Sequence, residues 1–99
     1  MASTVELSVG DAHRVRLPGL GTAGYRWIAT VEGDAGVAEV ADAGVEPPPA
    51  RRIGASSDEL FDIRAVGPGA TRVRFVQRRP FEPDDVPPAA EEVVEVRVR

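Results

Sequence analysis

The chain has no cysteine and no lysine, one histidine, one tryptophan and one tyrosine. Without cysteine there are no disulfides, no thiolate metal sites and no cysteine nucleophile, so stability must come from packing. Without lysine there is no Walker-type phosphate loop and no Schiff-base chemistry. All basic residues are arginine, which codon usage explains more simply than a special role in anion recognition. No apolar run approaches the ~20 residues a membrane span needs. The net charge of −4 argues against nucleic acid as a partner. The start, Met1-Ala2-Ser3-Thr4-Val5-Glu6, has neither a basic n-region nor an apolar h-region. The expected location is therefore cytoplasmic, unless the chain is the trimmed product of an exported precursor.

What is present is ordinary globular composition, with 42% hydrophobic and 28% charged residues over 99 positions. That is the size of one domain, expected to span 1–99 and to be a monomer. Period-2 alternation dominates and no helical period is sustained. Val5, Leu7 and Val9 alternate with polar residues, as do His13, Val15 and Leu17. Tyr25, Trp27, Ala29 and Val31 share one face of a third strand. After the Gly33-Asp34 turn comes a short apolar piece, Val37 to Val40. The stretch from Ala43 to Ala50 carries Pro47-Pro48-Pro49, which cannot donate to a central ladder and predicts an extended connection or a sheet edge. Phe61, Ile63 and Ala65 form the next inward set. Thr71, Val73 and Phe75 follow beyond the Gly67-Pro68-Gly69 turn, with Arg72, Arg74 and Arg78 facing outward. A last strand begins near Glu92. Short strands at this spacing predict an all-β, immunoglobulin-like antiparallel β-sandwich of about seven to eight strands.

Catalytic chemistry finds no support. His13 lies on the inward parity of its strand, as a structural residue at the core edge. Ser56 and Ser57 lack a base. Asp58 and Glu59, adjacent on a strand, point to opposite faces and cannot act as a carboxylate pair. Asp84-Asp85 lacks the oxygen donors that calcium requires. No cofactor and no metal is expected.

Three segments break the alternation, and each joins two predicted strands. With strands lettered A to G, they are the B–C segment from Pro18 to Gly24, running into Tyr25, the D–E segment from Gly54 to Glu59, and the F–G segment that opens Arg78-Arg79-Pro80-Phe81. All three connections have the same up-or-down parity and emerge at one end of such a sandwich, and loops on a rigid scaffold are the usual carriers of recognition. Phe81, between two prolines and outside the pattern, has no core slot and reads as an exposed anchor.

In these segments the sequence resembles the chagasin-like inhibitors of papain-like cysteine proteases. That family shows an Asn-Pro-Thr-Thr-Gly-aromatic-x-Trp motif, a Gly-x-Gly-Gly loop and an Arg-Pro-Trp (or Phe) loop, in that order. Here they are Leu20-Gly21-Thr22-Ala23-Gly24-Tyr25-Arg26-Trp27, then Gly54-Ala55-Ser56-Ser57, then Arg79-Pro80-Phe81. The departures are Leu20 and Gly21 for Asn and Pro, Ala23 for the second Thr, and Ser56-Ser57 for Gly-Gly.

The resemblance implies a reversible inhibitor whose loops wedge into the protease cleft, with the B–C loop over the catalytic cysteine–histidine pair. The protease-binding residues it implies are Leu20, Gly21, Thr22, Ala23, Gly24, Tyr25, Gly54, Ala55, Ser56, Ser57, Arg79, Pro80 and Phe81. Trp27 is expected in the core beneath them, with Tyr25 straddling core and interface. The competing reading is a non-inhibitory immunoglobulin-like interaction module, which would use a sheet face or edge instead of the loop tips.

Overall fold

A computed structural model describes residues 2–19, 23–46 and 57–99. Among the described residues the chain forms seven strands: β1 (Ala2–Leu7), β2 (Ala12–Leu17), β3 (Arg26–Gly33), β4 (Ala38–Glu46), β5 (Asp58–Ala65), β6 (Gly69–Arg78) and β7 (Ala90–Val98). They make two sheets, one ordered β1-β7-β6-β3 and the other β2-β5-β4. This is the expected sandwich, and β1 to β7 correspond to strands A to G. Successive side chains on a strand point to opposite faces, so the alternation in the sequence becomes an inner apolar face and an outer charged face on each sheet.

The inner faces meet in a core of Leu7, Trp27, Val73, Phe75, Val94, Val96 and Val98 from the larger sheet and Leu17, Ala38, Phe61, Ile63 and Ala65 from the smaller, with Val37 at its margin. Phe61 and Phe75 cross between the sheets with ring centroids 5.3 Å apart and planes inclined at 58°. That tilted arrangement sets a ring edge against a ring face, which the aromatic quadrupoles favour. His13 is half-buried on the inward parity of β2 beside Ile63 of β5.

Three details refine the sequence-based expectation. One pairing is parallel, that of β1 with β7. The chain leaves β1 through a turn in which Asp11 N–H donates to Ser8 O at 2.9 Å, and it enters β2 in the opposite sheet, so β1 lies beside the last strand instead of the second. As far as Glu46 the stretch from Ala43 lies at a sheet edge, since among the described residues β4 flanks only β5; Pro47-Pro48-Pro49 and Ala50 lie outside the described residues. Strand β4 carries a bulge between Asp42 and Gly44, where Gly44 takes a φ of 95° and donates its N–H to Asp42 Oδ1. Bulges of this kind blunt an edge against pairing with other chains. Finally, β7 begins at Ala90 rather than near Glu92, because Ala90 still pairs with Gln77.

The outer faces are laced with arginine–carboxylate pairs across neighbouring strands. Arg14 binds Asp62 with two hydrogen bonds of 2.9 and 3.1 Å, and Arg72 binds Glu95 at 2.8 Å. Arg16 reaches Asp58 on the neighbouring β5 at 2.6 Å and, across β5, Glu46 on β4 at 3.0 Å. Such exposed pairs contribute little to stability but specify register.

Two outcomes follow. Phe75 is fully buried, so Phe75→Ala should destabilise the fold by about 3–5 kcal/mol, measurable by urea denaturation; a loss under about 1 kcal/mol would contradict the inter-sheet packing. The hydrogen bond from Arg14 holds the Asp62 carboxyl below the usual aspartate value. Folding therefore disfavours its protonation. The stabilisation is complete above the unfolded pKa of about 3.9 and is lost as pH falls through the lower folded value. Arg14→Gln should move the NMR titration of Asp62 upward, and an unmoved titration would mean the pair does not form in solution.

Candidate functional site

The β2–β3, β4–β5 and β6–β7 loops leave the sandwich at one end. Register shows this directly: Leu17 lies opposite Glu59, Glu46 opposite Asp58, Arg26 opposite Arg78 and Gln77 opposite Ala90. The three loop roots are therefore neighbours before any loop residue is considered.

Polar contacts bind these roots across the two sheets. Trp27, buried at the start of β3, donates its indole Nε1–H to Pro18 O at 2.9 Å. Gln77 Nε2 donates to the same carbonyl at 3.3 Å. One acceptor at the root of the first loop is thereby held from both β3 and β6. The backbone N–H of Trp27 points away from β6, and the Glu59 carboxylate receives it at 3.2 Å. Glu59 is 5% exposed and also pairs with Arg26 at 3.4 Å. A buried carboxylate is costly unless bonded in this way; here it satisfies an edge-strand donor that has no ladder partner. Gly19 packs so closely on the Ser57 carbonyl oxygen that a Cβ at Gly19 would overlap it. Only glycine fits, and the first and second loops touch there.

The third loop is closed by its own backbone. Ala89 N–H donates to Gln77 O at 2.8 Å and Glu82 N–H to Arg79 O at 3.3 Å. The second bond closes a four-residue turn with Pro80 in its second position and Phe81 in its third. Phe81 has a φ of 67°, and positive φ at that position marks a type II turn, which ordinarily uses glycine or asparagine. A bulky residue is seldom found there. The result is a phenyl ring wholly exposed to solvent. Arg78 spans the base of the loop, donating to Val86 O at 2.5 Å.

Of the site residues expected from sequence, Leu20, Gly21, Thr22, Gly54, Ala55 and Ser56 lie outside the described residues. Ala23 and Gly24 are exposed, with Gly24 at a φ of 86°. Tyr25 is half-buried with the Arg79 guanidinium over its ring, 4.7 Å from the centroid. Ser57 is half-buried against Gly19, and Arg79, Pro80 and Phe81 are exposed. Trp27 sits in the core as expected. The sequence reading overlooked Glu59, Gln77 and Gly19. Parity was an available signal for the first two, since Glu59 shares the inward set of Phe61 and Ile63, and Gln77 that of Val73 and Phe75. For Gly19 no local signal existed, because its partner is distant in the chain.

The sequence matches the family model of chagasin family peptidase inhibitor I42 over residues 6–98. The chain belongs to this family. Its members are inhibitors of peptidases rather than enzymes. Among solved structures the chain is similar to the cysteine protease inhibitor EhICP2 from Entamoeba histolytica, with a TM-score of 0.80 and 21% identity over 98% of this chain and 86% of that one. It is also similar to Amebosin, with a TM-score of 0.72 and 20% identity over 99% and 97% of the two chains. PbICP-C, solved in complex with falcipain-2, gives a TM-score of 0.71 and 18% identity over 99% and 88%. Comparison with curated proteins gives no match. Membership of the chagasin family thus accounts for the sandwich.

Loss of the Glu59 carboxylate leaves the Trp27 N–H without its partner. Glu59→Ala should cost about 1–3 kcal/mol in urea denaturation, whereas Arg26→Ala, at an exposed position, should cost under about 1 kcal/mol. Equal costs would show that Glu59 acts through its ion pair instead of through the backbone bond.

Proposed function

We propose that this chagasin-family chain is a reversible inhibitor of papain-like cysteine proteases that seats its β2–β3, β4–β5 and β6–β7 loops in the active-site cleft. The observation that carries this reading is Phe81. It is a large apolar side chain held fully in solvent, in a backbone conformation such residues seldom adopt, at the end of the sandwich where the three loop roots converge. Strain of this kind, on the order of 1–3 kcal/mol, persists when function requires it. An exposed aromatic on a proline-stiffened turn loses little freedom on binding and brings large contact area. The solved complex of PbICP-C with falcipain-2 supports a protease as the partner.

In this reading Leu20, Gly21, Thr22, Ala23, Gly24 and Tyr25 lie over the protease's catalytic pair. The glycines let the backbone approach closely, and the Thr22 hydroxyl meets polar groups there. Gly54, Ala55, Ser56 and Ser57 rest on one wall of the cleft, and the Arg79-Pro80-Phe81 turn lies at the other, with Phe81 making the contact. The interface would be of standard size, about 1,600 Å² in total.

Titration of papain and cathepsin-type proteases with micromolar protein should abolish their activity reversibly; full residual activity in all of them would refute the reading. Papain with a blocked active site should no longer bind, whereas an interaction module that uses a sheet face would still bind it. Phe81→Ala should weaken inhibition by about 2 kcal/mol, roughly thirtyfold, without lowering stability. An unchanged inhibition constant would remove the third loop from the site.

A further inference from the structure

We infer that Arg79 is a positioning residue that clamps the third loop onto the first, and not an independent protease contact; this rests on the inhibitor reading above. Strands β3 and β6 pair antiparallel as far as Arg26 opposite Arg78. One step beyond that last rung stand Tyr25 and Arg79. Their backbones have left the ladder, but their side chains continue it: the guanidinium lies 4.7 Å from the Tyr25 ring centroid. That is within the range of a cation–π contact, and a planar guanidinium stacks on such a face in a way an ammonium cannot.

The position of this stack gives it leverage over both loops. Tyr25 follows Gly24 directly and is the last residue of the first loop before β3. Arg79 is the first residue after β6 and begins the Phe81 turn, accepting the Glu82 N–H. Holding Arg79 on Tyr25 therefore sets the direction in which Pro80 and Phe81 depart, relative to the Gly24 backbone. Among the described residues, Arg26 and Arg78 at this end are likewise engaged within the chain, Arg26 with Glu59 and Arg78 with Val86 O. Arg26, Arg78 and Arg79 thus serve the shape of the end, and in the third loop contact with a partner falls to Phe81. A surface shaped before encounter spends less of its binding energy on ordering, and its loss appears mainly as faster dissociation.

The test has two arms. In the free protein, NMR should show the Arg79 side-chain protons shifted upfield by the Tyr25 ring and returned to ordinary values in Tyr25→Leu. Arg79→Ala should increase fast backbone motion at Gly24 and Phe81. In papain inhibition, Arg79→Ala and Tyr25→Leu should each weaken binding about three- to tenfold. The double variant should be no worse than the weaker single variant, and Arg79→Lys should fall between wild type and alanine; Tyr25→Phe, which keeps the ring face, should keep the upfield shift of the Arg79 protons in the free protein. Losses that multiply in the double variant, or unshifted Arg79 protons, overturn the clamp. Should Tyr25→Leu not fold, Tyr25→Phe, the Arg79 variants and the wild-type spectrum still decide it. If wild-type protein leaves papain active, the inhibitor reading falls, and the clamp stands or falls on the NMR arm.

Discussion

Trp27 is where the two sheets and the loop end are joined. Its ring fills the core beneath the loops, its indole N–H holds the Pro18 carbonyl, and its backbone N–H is taken by Glu59 from the opposing sheet. Two sheets packed only by apolar side chains can slide, because dispersion and hydrophobic burial are weakly directional. Hydrogen bonds to a single indole and a single carbonyl are directional. Placed at one end of the sandwich, they define how the first loop starts from β2, how it returns into β3, and where the second loop enters β5.

Gln77 adds a second donor to the Pro18 carbonyl from β6, which brings the root of the third loop into the same arrangement. Glu59 and Gln77 are buried and the bonds to the Pro18 carbonyl partly so, and a lowered dielectric makes such bonds stronger and each vacancy more costly. These bonds fix the roots from which the loops start, independently of the loop sequences. Most of the molecule is an ordinary sandwich, in which Phe61, Phe75, Ile63 and the valines of β6 and β7 provide the burial and the outer arginines pair with carboxylates on the next strand. The network beneath the loops turns that scaffold into a platform.

On this platform the third loop spends conformational energy to display a side chain. Pro80 pre-sets one backbone angle of the turn, and Phe81 occupies the position where glycine would be comfortable. Folding alone gives no reason to keep a phenylalanine there, in solvent and in a left-handed conformation. A partner that buries the ring, as the proposed inhibition requires, would supply one.

The sequence by itself determined the all-β class, a sandwich of about seven to eight strands, the inward set from Trp27 to Val98, and the exposed aromatic at Phe81. Those features follow from the two-residue period of a strand and from the chemistry of proline and glycine, which act over a few residues. Tertiary structure alone decided the parallel partnership of β1 with β7, the closeness of Gly19 to Ser57, the capture of the Trp27 N–H by Glu59 and the stacking of Arg79 on Tyr25. Each of these joins residues far apart along the chain. Local propensity contains no term for such a meeting, which arises only when two sheets pack at a set angle and bring their loop roots to the same end.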